Sequence, residues 1–367
     1  MQLLTKWLGK AKRGGIVAAA AAMSILAAAA ATAKPAPSGV FARIEASPGF
    51  PEGIVLHGNR VFVAGPASVG APGTGPSEVA IFHARTGAPL GTIPIAGEDL
   101  SAAHGLRGIT TDGDGNLYAL SSQLGVVRLS RHGNDWAQDV YAGPLPDLPL
   151  CSLSKGGEAC SPGSKSHAAM PNDIAFDEDG YAYVTDSLQA TIFRIPPGGG
   201  APEIWFQSEA LAGYFDLVGV NGIRVSPDGA RVFFTVSFCA EAPWEGRIFS
   251  LPRKDAPAPS DLKVEHVFDG FEGPDGFAFG ETGELHVALA GSNQLAVVAV
   301  GKGELSRLAL PETSAIPLDA PASVAFDGRG GMLVTNQAHT TGNADHFAVL
   351  RVRTSDTGAE LFQPRIE

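Results

Sequence analysis

The chain has 367 residues, with 38 acidic against 26 basic side chains and a formal net charge of −12. That balance excludes the basic footprint needed for nucleic acid or an anionic membrane surface, and it suits a protein that holds cations.

The first 13 residues carry Lys6, Lys10, Lys12 and Arg13 and no acidic side chain. An Ala-rich apolar run from Ile16 to Ala31, broken only by Ser24, leads to Ala31-Thr32-Ala33 and then Lys34, Pro35 and Pro37. A charged start, an apolar middle and a small-x-small site predict a secretory signal peptide over residues 1–33. A membrane anchor would need roughly 20 apolar residues, usually richer in Leu and Ile. With no Arg-Arg pair, the general secretion route is expected. Cleavage leaves residues 34–367 as one domain, periplasmic or secreted, with no stable membrane insertion. Losing four basic side chains takes the charge from −12 to −16.

Downstream, six segments share one pattern: a Gly-containing or small approach, alternating apolar positions, a polar Gly turn and a second apolar strand. They are Glu52–Val63, Arg107–Tyr118, Asn172–Val184, Asn221–Phe234, Asp275–Val287 and Ala322–Val334. Their aligned apolar residues, Ile54, Ile109, Ile174, Ile223, Phe277 and Val324, are spaced 55, 65, 49, 54 and 47 apart. Asp/Gly-rich turns between short strands predict antiparallel hairpins. Further strands follow, as at Gly125–Leu129 and Thr191–Ile195. A repeat of this length accommodates a four-stranded blade, and radial repetition protects sheet edges. The expected fold is an all-β six-bladed β-propeller, with four-stranded antiparallel blades around a central channel. A β-sandwich would not explain six equivalent hairpins. The widest spacing holds an insertion, Gly143–Met170, rich in Pro, Gly and Ser, which should overhang whatever Asn172 faces. Pro66–Pro76 is a second loop of this kind.

Cys151 and Cys160 lie in that insertion and form a possible disulfide, closing a short loop that contributes about 2–3 kcal/mol in the loop-entropy description. Cys239 remains as a buried small hydrophobe. There is no Cys-x-x-Cys, His-Glu-x-x-His, Gly-x-Ser-x-Gly or phosphate-cradling loop. Asp112-Gly-Asp-Gly-Asn116 resembles the start of a calcium loop, but Gln123 stands where the twelfth-position glutamate belongs, so it reads as a hairpin turn.

Two places before each aligned apolar residue stand Glu52, Arg107, Asn172, Asn221, Asp275 and Ala322. In a propeller, equivalent positions at one end of the innermost strands converge on the channel mouth. Four of the six carry side-chain oxygen, and converging buried oxygens need a partner. Two carboxylates and two amides sum to −2 and suit a hard divalent cation, Ca²⁺ or another such as Mg²⁺ or Mn²⁺. Ca²⁺ takes roughly six to eight oxygens, which leaves positions open for water or substrate. The alternative is that these side chains cap hairpins or bind channel water.

Pro51-Glu52-Gly53, Pro171-Asn172-Asp173, Asn221-Gly222 with Ser226-Pro227-Asp228-Gly229, and Pro274-Asp275-Gly276 together resemble the gluconolactonase, senescence-marker-protein and luciferin-regenerating-enzyme family of six-bladed propellers. The resemblance covers about residues 50–340. It implies that Glu52, Asn172, Asn221 and Asp275 are ligands of a catalytic Ca²⁺. It further implies that Asp275 is the base or nucleophile in hydrolysis of lactones or organophosphates. Sugar-lactone members usually carry an Arg two residues before the Asn of Asn-Asp; here Met170 stands there, after Ala168 and Ala169. That departure turns the expected substrate toward an apolar ester, lactone or phosphotriester. Arg107 could supply a positive charge for substrate or pair with a neighbouring carboxylate. His104 could reach the mouth as donor or proton shuttle, or serve packing. The expectation is a monomeric Ca²⁺-dependent hydrolase of a small molecule, with no nucleic-acid partner. The rivals are a non-catalytic binding propeller like those with NHL repeats, or a metal-independent relative resembling strictosidine synthase.

Overall fold

A computed structural model describes residues 38–65, 67–68, 75–154, 158–215 and 217–366; the expected signal peptide lies outside them. Among these residues there is no α-helix, only three short 3₁₀ turns, and no helix is long and apolar enough to cross a membrane. The strands form six antiparallel sheets, the blades of a six-bladed propeller. In chain order, the inner strands of blades 1 to 6 are Ile54–His57, His104–Thr111, Pro171–Phe176, Val220–Val225, Pro274–Phe279 and Pro321–Phe326. Each packs on the next, and the sixth returns to the first. Every residue of the inner strands of blades 2 to 5 is buried, whereas an outermost strand such as Gly303–Leu308 faces water along most of its length.

Apolar side chains fill the spaces between neighbouring blades, so the core comes in layers. Val55, Phe62 and Ile81 of blade 1 meet Leu106, Leu117 and Val127 of blade 2. Phe233, Ile248 and Phe268 of blade 4 meet Phe277, Val287 and Val298 of blade 5. Strand alternation produces this arrangement, because each blade must present an apolar face to both neighbours.

Two features lie outside the repeat pattern. Gly39–Arg43 pairs with Ala348–Arg353 and supplies the outer strand of blade 6, closing the ring with the chain's beginning. Ala67–Ser68 adds a short fifth strand to blade 2, beside His104 and Gly105 of its inner strand.

Near the mouth, each inner strand of blades 2 to 6 carries a bulge. The register slips between Leu106 and Ile109, Pro171 and Ile174, Val220 and Ile223, Pro274 and Phe277, and Pro321 and Val324. A bulge inserts one residue and re-aims its side chain. The bulged pairs are the candidate ring residue and its successor. At the position after the ring residue stand Gly53, Gly108, Gly222 and Gly276 in four blades, and a Cβ there would collide with the next strand. At Gly53 it would lie 2.5 Å from the Arg107 carbonyl oxygen, at Gly222 2.6 Å from that of Asp275, and at Gly276 2.8 Å from that of Ala322.

The Thr opposite three of the bulges ties neighbouring blades together. Thr185 Oγ1 accepts the Asp173 amide at 3.0 Å and donates to the Asn221 carbonyl at 2.6 Å. Thr235 likewise joins the Gly222 amide to the Asp275 carbonyl, and Thr335 the Ser323 amide to the Glu52 carbonyl.

The insertion docks on blade 3 through Gln189, which accepts from the Leu148 amide and donates to the Pro146 carbonyl, while Ser161 Oγ donates to the Gln189 carbonyl. Cys151 and Cys160 are bonded within it, and Cys239 is buried and free.

The close approach at Gly276 makes a direct prediction. Gly276→Ala is expected to destabilise the protein by about 1–3 kcal/mol in denaturant unfolding, because overpacking against backbone has no easy relief. Gly143→Ala is the control, since a Cβ there meets nothing within 4 Å and its φ is ordinary; it should be near neutral.

Candidate functional site

The bulges of blades 2 to 6 and the entry to the inner strand of blade 1 bring Glu52, Arg107, Asn172, Asn221, Asp275 and Ala322 to one end of the channel, each under a tenth exposed. Glu52 and Asp275 sit on different blades, yet both respond to the buried charge of Asp173. Burial is the largest influence on Glu52 and pushes its carboxyl up to about 7, with the Asp173 charge adding to the rise. The positive charge of Arg107 and a hydrogen bond from Gln337 Nε2 work in the opposite direction. Burial also drives Asp275 well above the usual carboxylate range, reinforced by the charges of Glu52 and Asp173; the Gly276 amide and the Asn221 side chain oppose it. Two carboxyls in one desolvated mouth therefore resist being ionised together.

Asn221 shows what the mouth lacks. Ser237 Oγ donates to the Pro274 carbonyl at 2.8 Å, so it must accept from Asn221 Nδ2 at 2.9 Å. That fixes the amide's orientation and leaves Asn221 Oδ1 buried with no hydrogen-bond partner. A buried acceptor without a donor, on a ring with two carboxyls whose charge burial disfavours, suits a cation. The donor set consists of hard oxygens from Glu52, Asn172, Asn221 and Asp275, which fits a divalent cation of the Ca²⁺ type. Among the described residues no group of three or more His, Cys, Asp or Glu side chains is placed to hold a metal, so any such site here depends on the amides.

The three residues expected to meet substrate take different positions. Arg107 is buried in the ring, where Glu52 and Asp186 sustain its charge against the cost of burial. Counting Arg107, the six ring positions sum to −1, not the −2 of the four oxygen donors alone. His104 is buried, and its Nδ1 and Nε2 lie 2.9 and 2.6 Å from the carbonyl oxygens of Ala102 and Gly75. Its ring is thus committed to two loops, the one that precedes it and the earlier one that holds Gly75. Met170 is half-buried; its amide donates to Asp186 Oδ1 and its carbonyl accepts from the Ser187 amide.

Other residues that shape the site went unread in the sequence. Asp173 follows Asn172 at a position that is Gly in four other blades. Its Oδ2 accepts from the Ile223 amide at 3.0 Å and from Arg224 Nη1 at 2.5 Å, a buried pair joining blades 3 and 4. Gln337 and Ser237, which hold Glu52 and Asn221, sit two residues after Thr335 and Thr235. Extending the repeat alignment to Val184-Thr185-Asp186-Ser187, Phe234-Thr235-Val236-Ser237 and Val334-Thr335-Asn336-Gln337 would have exposed them.

A cavity of about 520 Å³ lies further along the channel, lined by Ile54, Ile109, Ile174, Phe279 and Phe326 and by residues 357–363 of the C-terminal segment. That segment crosses the far end of the channel, bonding the Gly113 amide through the Pro364 carbonyl and the Phe279 carbonyl through the Ala359 amide. The ring side is left as the mouth.

Fold and ring together define a six-bladed propeller with an oxygen-lined, acidic mouth. The family model described as SMP-30/gluconolactonase/LRE-like region matches residues 153–337, and the chain belongs to that family. No curated protein sequence matches the chain. Among solved structures, it resembles a regucalcin described as a calcium-binding protein from Agrobacterium tumefaciens, at 15% identity and a TM-score of 0.58, over 90% of this chain and 99% of that one. It resembles a luciferin-regenerating enzyme at 11% identity and 0.57, over 90% and 100%. A gluconolactonase from Xanthomonas campestris matches at 16% identity and 0.51, over 87% and 96%. At these identities the likeness is one of fold.

The raised carboxyls set the sign of a pH effect. Between the ordinary carboxylate range and about pH 7, folded Glu52 binds more protons than the unfolded chain, and the raised Asp275 acts with the same sign, so stability falls as pH rises through that window. In EDTA, the melting temperature is expected to drop between about pH 5 and pH 8, and Glu52→Gln should flatten the slope. Thermal melts across that range check it.

Proposed function

We propose that this protein is an exported, monomeric, Ca²⁺-dependent hydrolase of lactones or related esters, with its reacting centre at the propeller mouth. The observation that carries the proposal is Asn221 Oδ1, a buried oxygen without a donor on a ring that also holds two carboxyls whose proton affinity burial raises. Family membership supports hydrolysis, since gluconolactonase is part of the family's description. The regucalcin likeness supports the cation, since that protein is described as calcium-binding.

Glu52, Asn172, Asn221 and Asp275 would hold the ion. Bound there, a hard divalent cation supplies Lewis-acid polarisation of a carbonyl or phosphoryl oxygen. The chain's own groups do the rest. Asp275 is the carboxyl positioned to take a proton from water or to attack the substrate directly. Asn221 donates to it and is itself locked by Ser237, so the carboxyl keeps one orientation. Gln337 and Arg107 favour the ionised form of Glu52. The buried Asp173–Arg224 pair neutralises itself beneath the ring. Orientation and charge stabilisation in a desolvated mouth then supply most of the acceleration. The C-terminal segment closes the far end of the channel, and Met170 stands near the mouth where a polar arm would serve a sugar acid. Both features favour an apolar ester, lactone or phosphotriester entering from the ring side.

Removing one ring charge is expected to lower both Ca²⁺ affinity and turnover. Glu52→Gln and Asp275→Asn should each weaken calorimetric Ca²⁺ binding at least tenfold. Hydrolysis of aryl esters, aliphatic lactones and phosphotriesters by the native protein should stop in EDTA and return with Ca²⁺. Undiminished turnover of both variants in EDTA would refute the reading. Tight Ca²⁺ binding with no turnover of any substrate would favour the binding-propeller alternative.

A further inference from the structure

The mouth has an apolar side that the ring chemistry does not use. Inner strands begin at the mouth and second strands end there, so the loop entering an inner strand and the loop leaving a second strand share that face. On blades 4 and 5 these loops carry Tyr214 and Phe215, then Phe238 and Trp244, then Phe271. Trp244 is 61% exposed and Phe271 36%. Their rings meet edge-on at 4.3 Å between centroids, and Phe238 stands 6.0 Å from Phe271. The Phe271 amide donates to the Trp244 carbonyl, which locks the two loops together.

This patch is joined to the site by the chain itself. Phe238 follows Ser237, the residue that fixes Asn221. Its ring packs against Gly273, two residues before Asp275, so closely that a Cβ there would lie 2.9 Å from Phe238 Cζ. Phe271 has φ of 60°, and Phe215 across the same rim has φ of 56°. A bulky side chain in the left-handed region is an outlier where Gly or Asn is the ordinary occupant. Such a conformation persists when surrounding structure enforces it, and it clusters at functional sites. Here it leaves a large ring partly in water four residues before Asp275. Exposed contiguous aromatics in that setting mark a binding surface.

We infer that Trp244 and Phe271, backed by Phe238, dock the apolar acyl or alkyl arm of the substrate whose reacting bond lies at Asp275. The inference rests on the hydrolase reading and specifies its substrate class: a lactone or ester with a long apolar arm, selected by the rim and not by the ring. The small polar head needs only the oxygen donors, while the arm is drawn out of water onto the rings.

A chain-length series tests it. With γ-butyrolactone and γ-dodecanolactone as substrates, the native protein should show a higher kcat/KM for the longer one. In Trp244→Ala and in Phe271→Gly that preference should fall about tenfold, chiefly through KM, as expected for loss of an aromatic anchor. Phe271→Gly removes the ring while relieving its backbone, so a folding defect cannot account for its loss of preference. Unaltered chain-length preference in both variants would overturn the inference. Should neither lactone be turned over, the hydrolase reading fails on its own. Docking is then read from tryptophan fluorescence: saturable quenching by γ-dodecanolactone that Trp244→Ala abolishes supports the rim, and no quenching overturns it. Sedimentation with phosphatidylglycerol vesicles that depends on Trp244, with no response to the lactones, would assign the patch to a lipid surface and overturn it too.

Discussion

Six inner strands can converge on one axis only if their backbones come closer than ordinary side chains allow. The chain meets that constraint with glycine at one position in four of the six blades. Gly53, Gly108, Gly222 and Gly276 remove the Cβ that would strike the neighbouring strand, and Thr185, Thr235 and Thr335 stitch three of the blade junctions through a single hydroxyl each. The same bulge that demands a small residue rotates its predecessor into the mouth. Ring assembly and site assembly are therefore one event, and residues that look like packing devices decide where the polar groups point.

What the convergence concentrates is charge without solvent. Glu52, Asp275 and Asp173 all lie buried within electrostatic reach of one another, with Arg107 and Arg224 as the only nearby compensation that the pKa shifts and ion pairs reveal. Asp173 and Arg224 cancel locally. Glu52 and Asp275 keep an unmet demand, which surfaces as raised proton affinity and as the idle oxygen of Asn221. A site in that condition resists full ionisation, which is the electrostatic setting that the proposed cation would relieve.

The propeller and the ring positions were legible in the sequence because both follow from the repeat. Asp/Gly hairpins recur at near-constant spacing, and any residue at a fixed offset from them lands on one circle. Features that break the repeat were not legible. Gly39–Arg43 has no hairpin of its own, and nothing in five residues announces a partner more than three hundred positions away. Asp173 stands where four other blades have Gly, so its pairing with Arg224 emerges only once two blades are adjacent. The sequence left His104 open between a mouth group and a packing residue, and only the fold shows its ring turned to the carbonyls of Ala102 and Gly75. The left-handed backbone of Phe271 could not be read from composition, since neighbouring Gly270 and Gly273 already explain a turn there.

Closing the last blade with the first strand has a kinetic meaning. Gly39 pairs with Arg351, so that contact spans nearly the entire chain and carries the largest loop-closure entropy available to it. Five blades can form from local hairpins, but the circle stays open until the two ends of the polypeptide find each other. Loop-closure entropy makes the zipper at blade 6 the costliest contact to form and a natural place for opening to begin. Whatever is fused or trimmed just ahead of Gly39 would act on the lifetime of the closed ring well before it acted on any blade.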